Sequence, residues 1–147
     1  HPDITWLLAV GPSECLLRQD NIKVIQNADM KTLRELYSLS DFMLLPSYYE
    51  GFGMTIIESM ACKLPVICTR VGIAKDLFHF NAFKKMILNA SHRRELIKGI
   101  NDCIAFLRAS EDGKNEITNA GRSLIEKDYT INAWQDKMGA ALGLPLS

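Results

Sequence analysis

Two carboxylates set around a pair of glycines are the groups in this chain best placed to do chemistry: Glu50 and Glu58, with Gly51 and Gly53 between them. A carboxylate accepts two hydroxyl hydrogen bonds well. Glycine lets the main chain turn sharply and lets a ligand approach with no Cβ in the way. The surrounding pattern predicts where these groups stand. An apolar run, Phe42 to Leu45, ends at Pro46 and Ser47, a glycine-rich loop follows, and a periodic apolar segment runs from near Met54 to Leu64-Pro65. That is a buried strand, a ligand-facing loop and a helix. The first turn of such a helix has unpaired N–H groups that suit a phosphate. Glu58 falls about one turn in, on the stripe Met54, Glu58, Cys62, from which it looks back toward the loop mouth. Two acids beside an anion-binding helix end make sense for a phosphate joined to hydroxyl-rich groups.

These residues need a scaffold, and the rest of the sequence describes one. Ile4 to Val10 is almost continuously apolar and is broken by Gly11-Pro12, which predicts a strand buried on both faces with Trp6 in the core. Ser13 to Asp20 reads as a short helix or turn, and Ile22 to Gln26 as a thinner strand. Asp29 is placed to cap a helix over Met30–Leu39, whose Leu33, Leu36, Tyr37 and Leu39 face the sheet. Asn27 and Ala28 read either as a plain turn or as a loop near a nucleobase. Ile56, Ile57, Met60, Ala61 and Leu64 give the sheet-facing side of the central helix. Val66 to Thr69 is another buried strand, and Thr69, Gly72 and Asp76 after it are pocket candidates. Tyr48 and Tyr49 could wall the same pocket, whereas Phe52 is expected to anchor the loop by packing.

From His92 to Ala109 the period is helical, with Leu96, Ile97, Ile100, Cys103, Ile104 and Leu107 on one stripe. Asp112-Gly113 marks a turn. Asn115 to Lys127 is a further helix, and a last one runs to Leu142 with Trp134 as a packing anchor. The fold class is α/β: a Rossmann-like parallel sheet with helices on both faces, then a helical segment over about 92–147.

Composition narrows the function. The 147 residues are 48% hydrophobic and 23% charged with a formal net charge of zero, the profile of an ordinary globular domain without the basic footprint of a nucleic-acid binder. No apolar run approaches a bilayer span, and the opening residues do not read as a leader peptide. Cys15, Cys62, Cys68 and Cys103 lack the close pairing of a zinc site and read as free structural thiols, with a reducing cytoplasm as the expected compartment. His1, His79 and His92 are too scattered for a metal cluster, and no metal is expected. No nucleophile elbow or Walker loop is present.

Pro46-Ser47, then Glu50-Gly51-Phe52-Gly53, four residues and Glu58, continuing as Ser59-Met60-Ala61 and Leu64-Pro65-Val66-Ile67, resembles the signature of the retaining GT-B glycosyltransferases of family 4, glycosyl transferases group 1. The resemblance implies a partial C-terminal domain, residues 1–147, that binds a nucleotide-diphosphate sugar. Glu50 would face the donor sugar as the catalytic group, and Ser47 and Gly51, Phe52, Gly53, Met54 and Thr55 would line the diphosphate path. Glu58 would bind the ribose hydroxyls, and Thr69 and Gly72 would complete the donor site. The resemblance further implies a partner N-terminal domain of the same protein, a glycan or lipid-linked acceptor, and a cytoplasmic site that can lie at the inner face of a membrane.

The chain also departs from the family. The first strand and helix of the domain, with their diphosphate-binding lysine and arginine, are not in the sequence. Gly72 is followed by Ile73, and Lys75-Asp76 stands where an acidic residue is usual. Lys63 occupies a position that is often glycine, at an exposed helix end that suits a lysine. The stretch Leu77 to Met86 lacks the usual asparagine-glycine turn, which implies a shortened helical connection or a piece missing from the sequence. The competing readings are a non-catalytic scaffold or partner-binding domain and a sugar-nucleotide epimerase. An oxidoreductase is disfavoured because no Gly-x-Gly-x-x-Gly follows the first strand.

Overall fold

The computed structural model describes residues 2–12, 19–89 and 92–142. The chain divides into two units, His1–Ser40 and Asp41–Ser147. In the first, strands β1 (Trp6–Val10) and β2 (Ile22–Gln26) pair in parallel, and helix α1 covers Met30–Leu39. Asp29 caps α1 as its residue type predicts, its Oδ1 accepting from the Thr32 N–H at 2.7 Å. That hydrogen bond holds the Asp29 carboxyl below the usual carboxylate range.

Two expectations fail in this unit. Alternate residues of β1 are exposed, Leu7 at 39%, so the strand is covered on one face only and Trp6 is half-buried. An unbroken apolar run does not distinguish one covered face from two. Leu39 is exposed as well; it lies in the last turn, past the stripe made by Leu33, Leu36 and Tyr37. The proposed helix or turn over 13–20 falls mostly outside the described residues.

The second unit holds the core. Strand β3 (Met43–Leu45), helix α2 (Met54–Ala61), strand β4 (Val66–Thr69), short helix α3 (Ala74–Leu77) and strand β5 (Ile87–Leu88) precede helices α4 (Arg93–Ala109), α5 (Glu111–Asp128) and α6 (Ile131–Leu142). The sheet runs β3-β4-β5, parallel throughout, so the strands form two parallel sheets where the sequence suggested one. β4 is central, and Val66, Ile67 and Cys68 on it are buried, the both-faces burial expected of a parallel strand between helices. Ile56, Ile67, Met86 and Ile104 are almost fully enclosed, each contributing roughly 1.5–3 kcal/mol by burial.

α5 braces the helix that carries the second glutamate. Gly121 brings α5 close to α2, since a Cβ there would sit 3.3 Å from Met60 Cε. Next to it, Arg122 donates to the Ala61 carbonyl at the last turn of α2 while its Nε pairs with Glu126 at 2.6 Å. An arginine at a helix carboxyl end satisfies an orphan carbonyl and opposes the helix dipole.

The end of α2 contradicts the expectation that Lys63 is an indifferent surface choice. Leu64 N–H donates to the Ser59 carbonyl at 2.9 Å and Lys63 N–H to the Met60 carbonyl at 3.0 Å. This is a Schellman closure with Lys63 at its left-handed position, φ 57°. A side chain there costs about 1–2 kcal/mol relative to the right-handed conformation. Lys63→Gly is therefore expected to stabilise the protein by about 1 kcal/mol, read as a raised denaturation midpoint with unchanged slope.

The helical region also corrects the sequence reading. Asp112-Gly113 is not a turn: both lie in the first turn of α5. Ser110 ends α4 and caps α5, its Oγ accepting from Gly113 N–H at 3.0 Å. Gly113 is needed because a Cβ there would meet the Phe106 ring at 2.5 Å. Ile97 and Trp134 are exposed, Trp134 at 61%, so Trp134 is no core anchor. β5 and its short lead-in were missed altogether. Leu77 to Met86 is a run of tight turns, with Phe83 N–H on the Phe80 carbonyl and Met86 N–H on the Phe83 carbonyl.

Cys62, Cys68 and Cys103 are free thiols. Burial pushes Cys68 up to about 12 and Cys103 up to about 11, and the Cys103 thiol donates to the Lys85 carbonyl at 3.2 Å. Both acids are weakened by folding, so their contribution is complete below about pH 9 and fades as pH rises through 11 to 12. At pH 8 an alkylating reagent is expected to label Cys62 far faster than Cys68 or Cys103, with all three equalised by denaturant.

Candidate functional site

The site is built where β3 and β4 end. After Leu45 the chain passes Pro46 and Ser47 into a loop that Gly53 closes. Gly53 adopts φ 91°, and α2 starts directly after it with no side chain capping its amino end and no acidic residue in its first turn. Of the two loop glycines only Gly53 uses its conformational freedom. Gly51 has nothing within 4 Å of where a Cβ would stand, so its value lies in open space for a ligand and not in the turn.

The loop is fixed at three points. Ser47 Oγ donates to Glu50 Oε1 at 2.8 Å, and Thr69 Oγ1 donates to the Ser47 carbonyl. The Phe52 carbonyl accepts from Ile73 N–H at 2.8 Å. Gly72 makes that last contact feasible. It has φ 51°, and a Cβ on it would lie 2.5 Å from the Phe52 carbonyl oxygen and 3.2 Å from Glu50 Cβ. Ile73 is 2% exposed, and its N–H seats the second loop on the first. Ser47, Glu50 and Thr69 are thus one bonded cluster, with Gly72 close against Phe52 and Glu50.

Met54 and Thr55 are exposed at the amino end of α2, and Glu58 is half-buried, outside the core. Phe52 packs partly as expected, its ring 6.3 Å from that of Tyr129, but it stays 48% exposed. Tyr48 and Tyr49 are almost fully exposed. Asp76 is exposed on α3. In the first unit, Asn27 takes a left-handed conformation, φ 49°. Asparagine tolerates that region.

Sequence reasoning missed a cleft of about 120 Å³ whose lining includes Ser47, Tyr48, Thr69, Arg70, Asn89 and His92. Arg70, the first residue past β4, was legible as a cation in a loop at a strand's carboxyl end. Asn89 and His92 were not, because they depend on the unrecognised β5. Among the described residues no group of three or more His, Cys, Asp or Glu could hold a metal ion. Among the same residues no helix is long and apolar enough to cross a membrane.

Residues 12–123 match the family model described as glycosyl transferases group 1. The chain belongs to that GT-B glycosyltransferase family. Over 113 residues it is 32% identical to an alpha-galactosylglucosyldiacylglycerol synthase of Streptococcus pneumoniae, a match that covers 76% of this chain and 29% of the relative. It is 37% identical over 68 residues to the putative teichuronic acid biosynthesis glycosyltransferase TuaC of Bacillus subtilis, covering 46% and 18%. A glycosyltransferase from Rickettsia africae shares the fold, with a TM-score of 0.61 at 24% identity over 81% of this chain and 30% of that one. The chain thus spans under a third of the length of these relatives. As a group 1 glycosyltransferase chain it has an α/β, Rossmann-like fold with parallel sheets.

Proposed function

We propose that this chain is the C-terminal, donor-binding part of a two-domain enzyme that transfers a sugar from a nucleotide-diphosphate donor with retention at the anomeric carbon. One observation carries the reading. The amino end of α2 has no side-chain cap and no first-turn acid, and it opens beside Glu50, which Ser47 holds in place. Amide hydrogens at that end would receive the diphosphate and stabilise the charge that develops on it as the sugar leaves. Glu50 would orient the sugar hydroxyls and favour positive charge at the ring. Glu58, one turn into α2 and outside the core, would accept from the ribose hydroxyls. No metal is required by this scheme, because helix amides and positive side chains elsewhere in the protein suffice for the diphosphate.

In the full protein an additional first βα unit and an N-terminal, acceptor-binding domain complete the cleft, and the acceptor is a glycan or a lipid-linked sugar met on the cytoplasmic side. Among the described residues β1, β2, β3 and β5 each pair with one strand only. Bare parallel-strand edges of this kind invite self-association. The isolated 147-residue chain is expected to elute as aggregates and to transfer no sugar, whereas full-length protein elutes as a discrete species. The alternative, a non-catalytic scaffold, draws on the altered second loop, in which Ile73 fills space that a glycine would leave open.

Titration of full-length protein with nucleoside diphosphates and their sugars tests the proposal. Saturable binding is expected, and Glu58→Ala should weaken it about 10- to 100-fold, the loss of one or two charge-assisted hydrogen bonds. Binding that is absent, or indifferent to Glu58→Ala, favours the scaffold.

A further inference from the structure

Resting on that reading, we propose that the cleft beside Ser47 is a second saccharide subsite, one that takes a sugar unit of the acceptor bearing an acidic group. The cleft shares Ser47 and Thr69 with the Glu50 cluster but contains none of the residues from Gly51 to Glu58, so it adjoins that cluster and lies apart from the amino end of α2. At about 120 Å³ it is well under the roughly 300–1,000 Å³ of a cleft that encloses a drug-sized ligand. It suits one ring edge or one acidic group and not a nucleotide.

Its chemistry is that of sugar recognition. Tyr48 supplies an aromatic wall that is 87% exposed, and the exposure is built in, because Ser47 and Glu50 are bonded across the two tyrosines. A tyrosine ring offers an apolar face and a polar tip, which matches the alternating C–H and hydroxyl surfaces of a pyranose. Asn89 and His92 add groups able to donate to or accept from hydroxyls. Arg70 adds the charge. Its guanidinium lies over the Phe78 ring at 4.2 Å from the centroid, a contact that restrains it without neutralising it. No carboxylate pairs with Arg70 among the described residues, so the fork is open to a phosphate or a uronic carboxylate. The shared position of Ser47 puts this sugar next to the group proposed to face the donor sugar, the place an acceptor must occupy.

Calorimetric titration of full-length protein tests this, with glucuronate, glucose 6-phosphate, glucose and inorganic phosphate as probes. One or both acidic sugars should bind saturably, the tighter naming the acid, and glucose should bind at least about tenfold more weakly. Arg70→Gln should weaken the acidic sugars about tenfold or more, Arg70→Lys should recover part of the loss, and Tyr48→Ala should weaken them several-fold. Both Arg70 variants should keep the wild-type melting temperature and nucleoside diphosphate affinity. Equal binding of glucose, indifference to Arg70→Gln, or inorganic phosphate binding as tightly as the sugar phosphate overturns the subsite. Loss of nucleoside diphosphate binding with acidic-sugar binding retained would instead sink the donor-site proposal and leave this one standing.

Discussion

Glu50→Gln in the full-length protein is expected to lower kcat for sugar transfer about 100- to 1,000-fold, with KM for the donor changed only a few-fold. That magnitude is what removal of one preorganised electrostatic group costs at a reacting centre. Glutamine keeps the shape, and its carbonyl can still accept from Ser47 Oγ, whose bond to Glu50 Oε1 is 2.8 Å long. The loop should therefore keep its place while the negative charge beside the developing positive ring is lost. The pattern of the loss discriminates between roles. An effect on kcat alone means an interaction made in the transition state. Equal effects on kcat and stability mean that Glu50 serves mainly to hold the loop. A decrease of less than tenfold removes Glu50 from the chemistry.

Gly72→Ala is expected to be the most damaging single-methyl change in the chain. The added Cβ would lie 2.5 Å from the Phe52 carbonyl oxygen and 2.9 Å from its carbon, both backbone atoms that cannot rotate away, and φ at this residue is 51°. To relieve the clash the two loops must part, which breaks the bond from Ile73 N–H to the Phe52 carbonyl. Left-handed strain, a lost buried hydrogen bond and displacement of Ile73 together should cost about 2–4 kcal/mol. Donor affinity should fall with it, because Glu50 rides on the displaced loop. Gly51→Ala is the control: nothing lies within 4 Å of its added methyl, so its stability should change by about 0.5 kcal/mol or less. Equal melting temperatures for the two variants would show that the loops are not docked through Gly72.

The residues of the central βα unit could be read directly because their patterns are local. An apolar run followed by Pro46 and Ser47 ends a strand whatever else the chain does, and the spacing of Ile56, Ile57 and Met60 defines a buried helix face. Asp29 as a cap and Leu33, Leu36 and Tyr37 as a stripe are legible for the same reason: each depends on neighbours within a turn. The Glu-Gly-Phe-Gly signature and the second glutamate pointed to the family without any coordinates, and the family match over residues 12–123 bears that out.

What the sequence left open was decided partly by local closures that composition does not reveal and partly by partners distant along the chain. Lys63 looked like a neutral surface residue, yet the closure of α2 places it in a left-handed conformation. Asp112-Gly113 has turn composition, but Ser110 caps a helix there and Phe106 occupies the space a side chain at Gly113 would need. Trp134 had the composition of an anchor and lies exposed, since burial depends on what covers a residue and not on its type. The docking of Gly72 and Ile73 on Phe52, and the cleft lined by Arg70, Asn89 and His92, join segments far apart in sequence. Local periodicity carries helices, strands and the glutamate pair; contacts between remote segments are set only when the sheet assembles, and there the site takes its shape.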